Sequence, residues 1–281
     1  MVRVRIPSTK ASPEQVLDLI KIIKKNTGSI YAMRDEIHSY LLKKSTRGKR
    51  NAYNSVYAIT FPTLRRLGLI DDKGPDVRLS HDGEILLKIY NDEGELEYKK
   101  AFGKILLRVD YEKAHVVKCL LSLRKGAVSI EKLSDLLRKE GVDTNPADDR
   151  LLRWLRYLKF VKFIESADSN IKVNHFRIKG IKEGKAKVKY NKFINVVIEE
   201  YNKIRIRNRG NIYVKIPELE HNVCNRLFRF NFTTYDFRTY LKKLKSGKFK
   251  NMKFIFSRPG AREENGITID GVYYYYISIY R

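Results

Sequence analysis

The 281-residue chain carries 58 lysines and arginines against 32 aspartates and glutamates, a formal net charge of +26. Its 43% apolar content is too high for wholesale disorder, and no apolar run approaches the 18 residues or so of a membrane-spanning helix. Cys119 and Cys224 alone cannot build a disulfide framework or a cysteine zinc site, and the opening MVRVRIPSTK lacks the apolar core of a secretory signal, which predicts a cytosolic protein.

In chain order, a loose pattern of helix, short strand, helix, helix and hairpin recurs three times, at intervals of roughly 100 residues or less, the size of a small domain. In the first copy Ser12-Pro13 opens a helix with Gln15 at the reciprocal capping position, and Val16, Leu19, Ile20 and Ile23 share one face. Gly28 and Ser29 interrupt it before a second helix with Ile37 and Leu41, and a basic loop follows (Lys43, Lys44, Arg47, Lys49, Arg50). A third helix carries Leu64 and Leu67 and ends at Gly68. Leu69-Ile70 and Val77-Arg78-Leu79 then flank a turn that reads as a hairpin. Ser80 caps a helix bearing Ile85, Leu86, Ile89 and Tyr90, and a further helix is expected over about Leu96–Val109.

The second copy runs through Val116, Val117, Leu120 and Leu121, then a short strand at Val128-Ser129 whose serine caps a helix with Leu133, Leu136 and Leu137. Asn145-Pro146 is expected to start the third helix, with Leu151, Leu152, Leu155 and Leu158 as its buried stripe. Phe160–Ile164 and Val173–Ile178 are the expected hairpin strands, and Gly180–Lys187 the expected linker. In the third copy a helix around Phe193–Ile204 precedes a strand near Ile212–Ile216 and a helix begun by Pro217. Thr233 or Thr234 caps the next helix, carrying Phe237, Leu241 and Leu244. The end is β-rich, and its Asp270-Gly271 between two β-prone runs is a strong hairpin signal.

Every segment is basic. Residues 1–110 have a net charge of +7, residues 111–184 of +6 and residues 185–281 of +13. Such a surplus attracts polyanions, of which DNA, RNA and anionic lipid surfaces are the usual ones.

The run Leu64-Arg65-Arg66-Leu67-Gly68-Leu69-Ile70, followed by Leu79-Ser80-His81-Asp82-Gly83, resembles the winged helix-turn-helix superfamily, and also the tandem recognition modules of some type IIS restriction endonucleases. Leu151–Leu158 repeats the first half of that pattern without the glycine, and Lys242–Gly247 is a looser third match. The terminal DGVYYYYISIY is similar to the last wing strand of uncharacterised archaeal winged-helix proteins. The resemblance covers nearly the whole chain. It implies a helix-rich α+β fold of three tandem winged helix-turn-helix domains: 1–110 with two extra C-terminal helices, 111–184, and 185–281 with an extended β wing.

It further implies sequence-specific binding of double-stranded DNA, as in a regulator, a replication or partition initiator, or a genome-organising factor. The third helix of each domain would enter the major groove and the wing would reach an adjacent groove or phosphate. The base-reading candidates are Arg65 and Arg66, beside the Leu64/Leu67 stripe; Arg150, Arg153 and Tyr157, three to four residues apart; and Arg238, Lys242 and Lys245. Lys43, Lys44, Arg47, Lys49, Arg50, Lys73, Arg78, Arg258 and Arg262 are the phosphate candidates, giving affinity and register without sequence choice. Structured RNA is the alternative polyanion. Trp154, among the leucines, is expected in the core or at a domain interface, and Tyr273–Tyr276 should alternate across a strand.

Two other readings compete: an enzyme or specificity subunit of a restriction system, and a winged-helix scaffold for other proteins. Asp76, Glu97 and Lys99 match the spacing of PD-(D/E)xK nucleases, but GELEYKKAFGKILL reads as a helix, on which Glu97 and Lys99 point about 200° apart and cannot assemble that site. The five histidines show no zinc-ligand spacing and the glycines no phosphate-binding motif. The sequence therefore suggests no catalysis, no cofactor, no metal, no membrane and no small-molecule ligand.

Overall fold

At Ser12 the backbone is extended (φ −76°, ψ 153°), Pro13 occupies the first turn, and Gln15 Oε1 accepts from the Ser12 amide at 2.9 Å. That start gives α1 (Pro13–Lys25), whose Val16, Leu19, Ile20 and Ile23 are buried as their spacing requires. The computed structural model describes residues 6–44, 60–73, 76–123, 127–167, 170–183, 188–246, 249, 252–260, 263 and 266–280. It has no helix long and apolar enough to cross a membrane among these residues. The fold is α+β and helix-rich, with small antiparallel sheets.

The chain divides into two units, Met1–Gly184 and Lys185–Arg281. In the first, α2 (Ile30–Lys44) follows the break at Gly28, and α3 (Phe61–Leu67) ends on Gly68 in the left-handed region (φ 72°). The hairpin β1 (Ile70–Lys73) and β2 (Asp76–Leu79) pairs Ile70 with Leu79 and Asp71 with Arg78. Ser80 then caps α4 (His81–Val109), accepting from Gly83 N at 3.2 Å. The two helices expected here run on as one, bent by a kink at Gly94, whose φ of 81° and ψ of −174° suit only glycine. A single π-turn, Asp110–Ala114, closes with His115 N donating to Asp110 O at 2.7 Å and leads into α5 (Val116–Ser122).

The second half of this unit follows the order helix, strand, helix, helix, hairpin. After α5 come β3 (Ala127–Ser129), α6 (Ile130–Lys139), α7 (Asp149–Phe160), β4 (Ile164–Ala167) and β5 (Asn170–Val173), the strands ordered β3-β5-β4. Three expectations are corrected here. The α7 cap is Asp148, which accepts from Arg150 N at 2.8 Å, rather than Asn145, because residues 146–147 form a turn first. The last strand stops at Val173, since Asn174 Oδ1 accepts from Arg177 N and starts α8 (His175–Glu183). The same helix occupies the first residues of the expected linker.

The segments expected as separate domains, 1–110 and 111–184, share one interior. Trp154 Nε1 donates to Asp110 Oδ1 at 2.8 Å, Tyr157 OH donates to Ala11 O at 2.8 Å, and Phe102 on α4 meets the rings of Tyr157 and Phe160. Burying these large apolar side chains together is what welds the two helical sets into one unit.

The second unit repeats the same order: α9 (Tyr190–Arg207), β6 (Val214–Lys215), α10 (Ile216–Arg226), α11 (Thr234–Ser246) and a β-rich end. Thr233 and Asp236 cap α11 reciprocally, Thr233 N donating to Asp236 Oδ2 at 3.0 Å and Asp236 N to Thr233 Oγ1 at 3.2 Å. β7 (Lys253–Ser257) and β10 (Tyr276–Tyr280) complete a sheet ordered β6-β10-β7. Between them β8 (Ile267–Ile269) and β9 (Val272–Tyr274) form a hairpin whose turn, Asp270 (φ 51°) and Gly271 (φ 78°), has the left-handed pair that Asp-Gly favours. Phe193, Phe232, Phe237, Leu241, Leu244 and Ile277 centre the core. Cys119 and Cys224 are both buried and are not disulfide-bonded.

Candidate nucleic-acid interface

On α7 the stripe Leu151, Trp154, Leu155 and Leu158 is buried, which turns residues 149, 153 and 156 outward. Arg153 and Arg156 are therefore neighbours on the outer face, with Lys159 exposed beside them. Arg153 Nη2 reaches Asp149 one turn back at 2.8 Å, an exposed pairing that a stronger anion can displace. Arg156 and Lys159, absent from the sequence-based set, carry no acidic partner among the described residues.

Tyr157 does not belong to that face. It is 1% exposed, with its hydroxyl committed to Ala11 O, and burial pushes its phenol well above the usual range. Its assignment as a base reader is corrected: the N-terminal segment lands on this side of α7. Arg150 also turns inward to its own cap, Nη2 at 2.7 Å from Asp148 Oδ2 and Nε at 3.0 Å from Oδ1. Burial alone would raise the Asp148 carboxyl, but the hydrogen bonds and charge of Arg150 outweigh it and hold the carboxyl below its usual value.

In the second unit α11 buries Phe237, Leu241 and Leu244 and leaves Lys242 and Lys243 exposed. Lys243 Nζ stands 5.5 Å from the Tyr240 ring. Arg238 is a different case. Its Nε and Nη2 donate to Glu220 on α10 at 2.7 and 2.8 Å, with both side chains mostly buried, so its guanidinium ties two helices together instead of reading bases. Lys245 leans toward the β8–β9 hairpin, its Nζ 4.6 Å from the Tyr274 ring and 3.8 Å from Asp270 Oδ2.

On α3, Arg65 and Arg66 are both exposed beside the buried Leu64 and Leu67, and Arg66 Nη1 donates to Ser8 O at 2.6 Å. Lys43 is exposed near the end of α2, Arg78 is exposed on β2 across from Asp71, and Arg258 is exposed just after β7. Arg47, Lys49, Arg50 and Arg262, with the side chains of Lys44 and Lys73, lie outside the described residues. Tyr273–Tyr276 do not alternate simply, because Tyr275 separates β9 from β10. Tyr275 is buried, while Tyr273 OH donates to Glu263 O at 2.8 Å and accepts from Gly266 N at 2.7 Å.

Five acids of the second unit, all on its helices, are engaged within it. Glu199 and Glu200 pair with Arg226, Glu218 with Arg207, Glu220 with Arg238, and Asp236 caps α11. Lys189, Arg205, Arg209, Lys253 and Arg258 are exposed with no acidic partner among the described residues. These additional cations were invisible as a set in the sequence, since only the pairing pattern separates them from the paired ones. These five cations face solvent. Glu97 and Lys99 both lie on α4, Glu97 paired with Lys100 and Lys99 Nζ with Glu95 Oε1 at 2.6 Å.

No family model matches the chain, and no curated protein matches it. Among solved structures it is similar to the BpuJ1 endonuclease binding domain, solved in complex with pyrene- and phenanthrene-modified DNA. The match has 13% identity and a TM-score of 0.40, and covers 64% of this chain and 84% of that one.

Proposed function

We propose that the chain binds double-stranded DNA through the third helices of winged-helix modules, without a catalytic step of its own. The observation that carries this reading is the shared layout of α7 and α11. Each is the third helix in an order of helix, strand, helix, helix and β-ribbon, each buries one apolar stripe, and each turns cations outward. On α7 these are Arg153, Arg156 and Lys159; on α11, Lys242 and Lys243. A helix of this width fits the major groove, where arginine donates two hydrogen bonds to guanine O6 and N7. Arg65 and Arg66 would supply a third such face, and Arg78 and Arg258 phosphate contacts.

Affinity for a fluorescein-labelled 30-base-pair duplex, followed by anisotropy across salt concentrations, tests the reading. Each phosphate contacted adds about 0.9 to the log–log slope, so five contacts give a slope of about −4.5. Binding indifferent to salt defeats the proposal. Selection from random duplexes tests sequence specificity: recovery of a defined motif supports base reading, and recovery of unbiased sequence removes it.

A further inference from the structure

The sheet of the second unit has two unlike faces. Ile277, Ile279, Phe254 and Phe256 point to the helices. The register puts Lys215 beside Tyr276 and Lys253 beside Tyr280 on the opposite face, with Tyr213 two residues before Lys215 on the same side. Tyr213 is 49% exposed, Tyr280 40%, and Tyr276 is half-buried. The rings of Tyr213 and Tyr276 meet edge to face, 6.5 Å between centroids.

We propose that this outer sheet face is a second nucleic-acid site, distinct from the third helices, that binds single-stranded DNA or RNA by stacking bases on Tyr213, Tyr276 and Tyr280 while Lys215 and Lys253 hold the phosphates. Three observations choose this occupant. Exposed aromatic rings cost free energy in water and offer π-faces that any unpaired base can cover. The register sets Lys215 beside Tyr276 and Lys253 beside Tyr280, both lysines exposed, which suits a polyanion over a neutral apolar peptide. Tyr276 and Tyr280 stand about 13 Å apart along β10, at about 3.3 Å per residue. Stacking on rings set this far apart needs bases whose faces are uncovered, as in a single strand and not within a duplex. Ser278 lies between them, buried, its hydroxyl without a hydrogen-bond partner among the described residues.

The test uses the full chain, labelled 12-mers of oligo-dT and oligo-rU at low salt, and the 30-base-pair duplex. The Tyr213→Ala/Tyr280→Ala variant is expected to lose binding of the 12-mers at least tenfold, since one base–aromatic stack is worth about tenfold or more. Its duplex affinity is expected to stay within twofold of the parent. Tyr213→Phe/Tyr280→Phe, which keeps the rings, is expected to retain 12-mer binding. Lys242→Ala/Lys243→Ala should do the converse, losing duplex and keeping the 12-mers, so failure of the helix reading and failure of this one give different patterns. A preference between dT and rU assigns the sugar. The proposal is overturned if neither 12-mer binds, if the alanine pair binds them like the parent, if the phenylalanine pair loses them as fully as the alanine pair, or if the alanine pair weakens duplex equally. It also falls if polyglutamate displaces the 12-mers from the parent as well as unlabelled dT does, which would assign the face to an acidic protein segment.

Discussion

Trp154 Nε1 donates to one oxygen of the Asp110 carboxyl at 2.8 Å, while the amide of Val117 donates to the other at 2.7 Å, all in the interior of the first unit. Burial pushes this carboxyl up to about 7, despite the opposing pull of Trp154 and of the amides of Val117, Val116 and Lys118. In the unfolded chain it titrates near the ordinary aspartate value of about 3.9. Between those two values the folded state holds a proton that the unfolded state has released. The contribution of Asp110 to stability is therefore fully present below about pH 4 and is lost as pH rises to about 7.

The comparison that isolates this effect is parent against Asp110→Asn, because the chain's other charges act equally on both. The variant keeps an acceptor for Trp154 but leaves one buried amide unpaired, a cost of about 1–3 kcal/mol. The stability gap between parent and variant is expected to be widest at or below about pH 4 and to narrow steadily to about pH 7 in urea unfolding. A gap that does not narrow between about pH 4 and pH 7 means that the carboxyl is ionised in the folded state across that range.

Arg156 and Tyr157 are adjacent in sequence and opposite in role. Arg156→Ala is expected to weaken duplex binding at least severalfold, by about 1 kcal/mol or more, and to leave unfolding within about 0.5 kcal/mol of the parent. Tyr157→Phe removes the hydroxyl that reaches Ala11 O, so it should lower stability by about 1 kcal/mol with duplex affinity unchanged. Anisotropy and urea unfolding on the same preparations check both, and a reversed pattern returns Tyr157 to the reading face.

Helix starts and turns were legible because they rest on local chemistry. Ser12-Pro13 with Gln15, Ser80, Ser129, Gly68 and Asp270-Gly271 all act where the sequence suggests. The buried stripes of α1, α7 and α11 were legible for the same reason, since periodicity reports one face of a helix. What the period cannot report is a second packing partner on the same helix. Tyr157 lies about a third of a turn from the centre of the α7 stripe, and it is buried by partners distant in sequence, the Phe102 ring of α4 and the Ala11 carbonyl. Arg238 likewise reads as an exposed cation until α10 brings Glu220 against it. A carboxylate one turn away in solvent, as at Asp149 and Arg153, leaves a basic face available; one that is buried with its partner removes it.

The Arg238–Glu220 pair gives a stability effect that imitates a binding defect. Glu220 is buried, so Arg238→Ala leaves an uncompensated charge in the interior, with an expected loss of about 3–5 kcal/mol. Duplex binding will then fall only in proportion to the unfolded fraction. Replacing both members, Arg238→Met with Glu220→Leu, is expected to recover most of the stability and the duplex affinity together. Recovery of stability without affinity is the outcome that makes Arg238 a DNA contact.

Two glycines of α4 separate crowding from backbone strain. A Cβ at Gly83 collides with the Leu69 carbonyl oxygen and crowds Leu79 at 3.3 Å, where α4 begins against the hairpin. Neither obstacle is the end of a flexible side chain, so the strand or the helix start must move, and Gly83→Ala is expected to cost at least about 2 kcal/mol. Gly94 has nothing within 4 Å of the same position, and its only demand is the glycine-type backbone at φ 81°. Gly94→Ala is therefore expected to cost about 1–3 kcal/mol as strain. Straightening α4 to a regular helix would relieve that strain, but it would also move Tyr98 away from Tyr90, which it meets edge to face at 6.0 Å across the kink. The variant is accordingly expected to keep the kink and the two rings together. Urea unfolding orders the two costs, and tyrosine ring-current shifts report whether Tyr90 and Tyr98 still meet. Unchanged stability in Gly94→Ala, with the two rings drawn apart, means that the helix straightens freely and that the kink is set by the glycine alone.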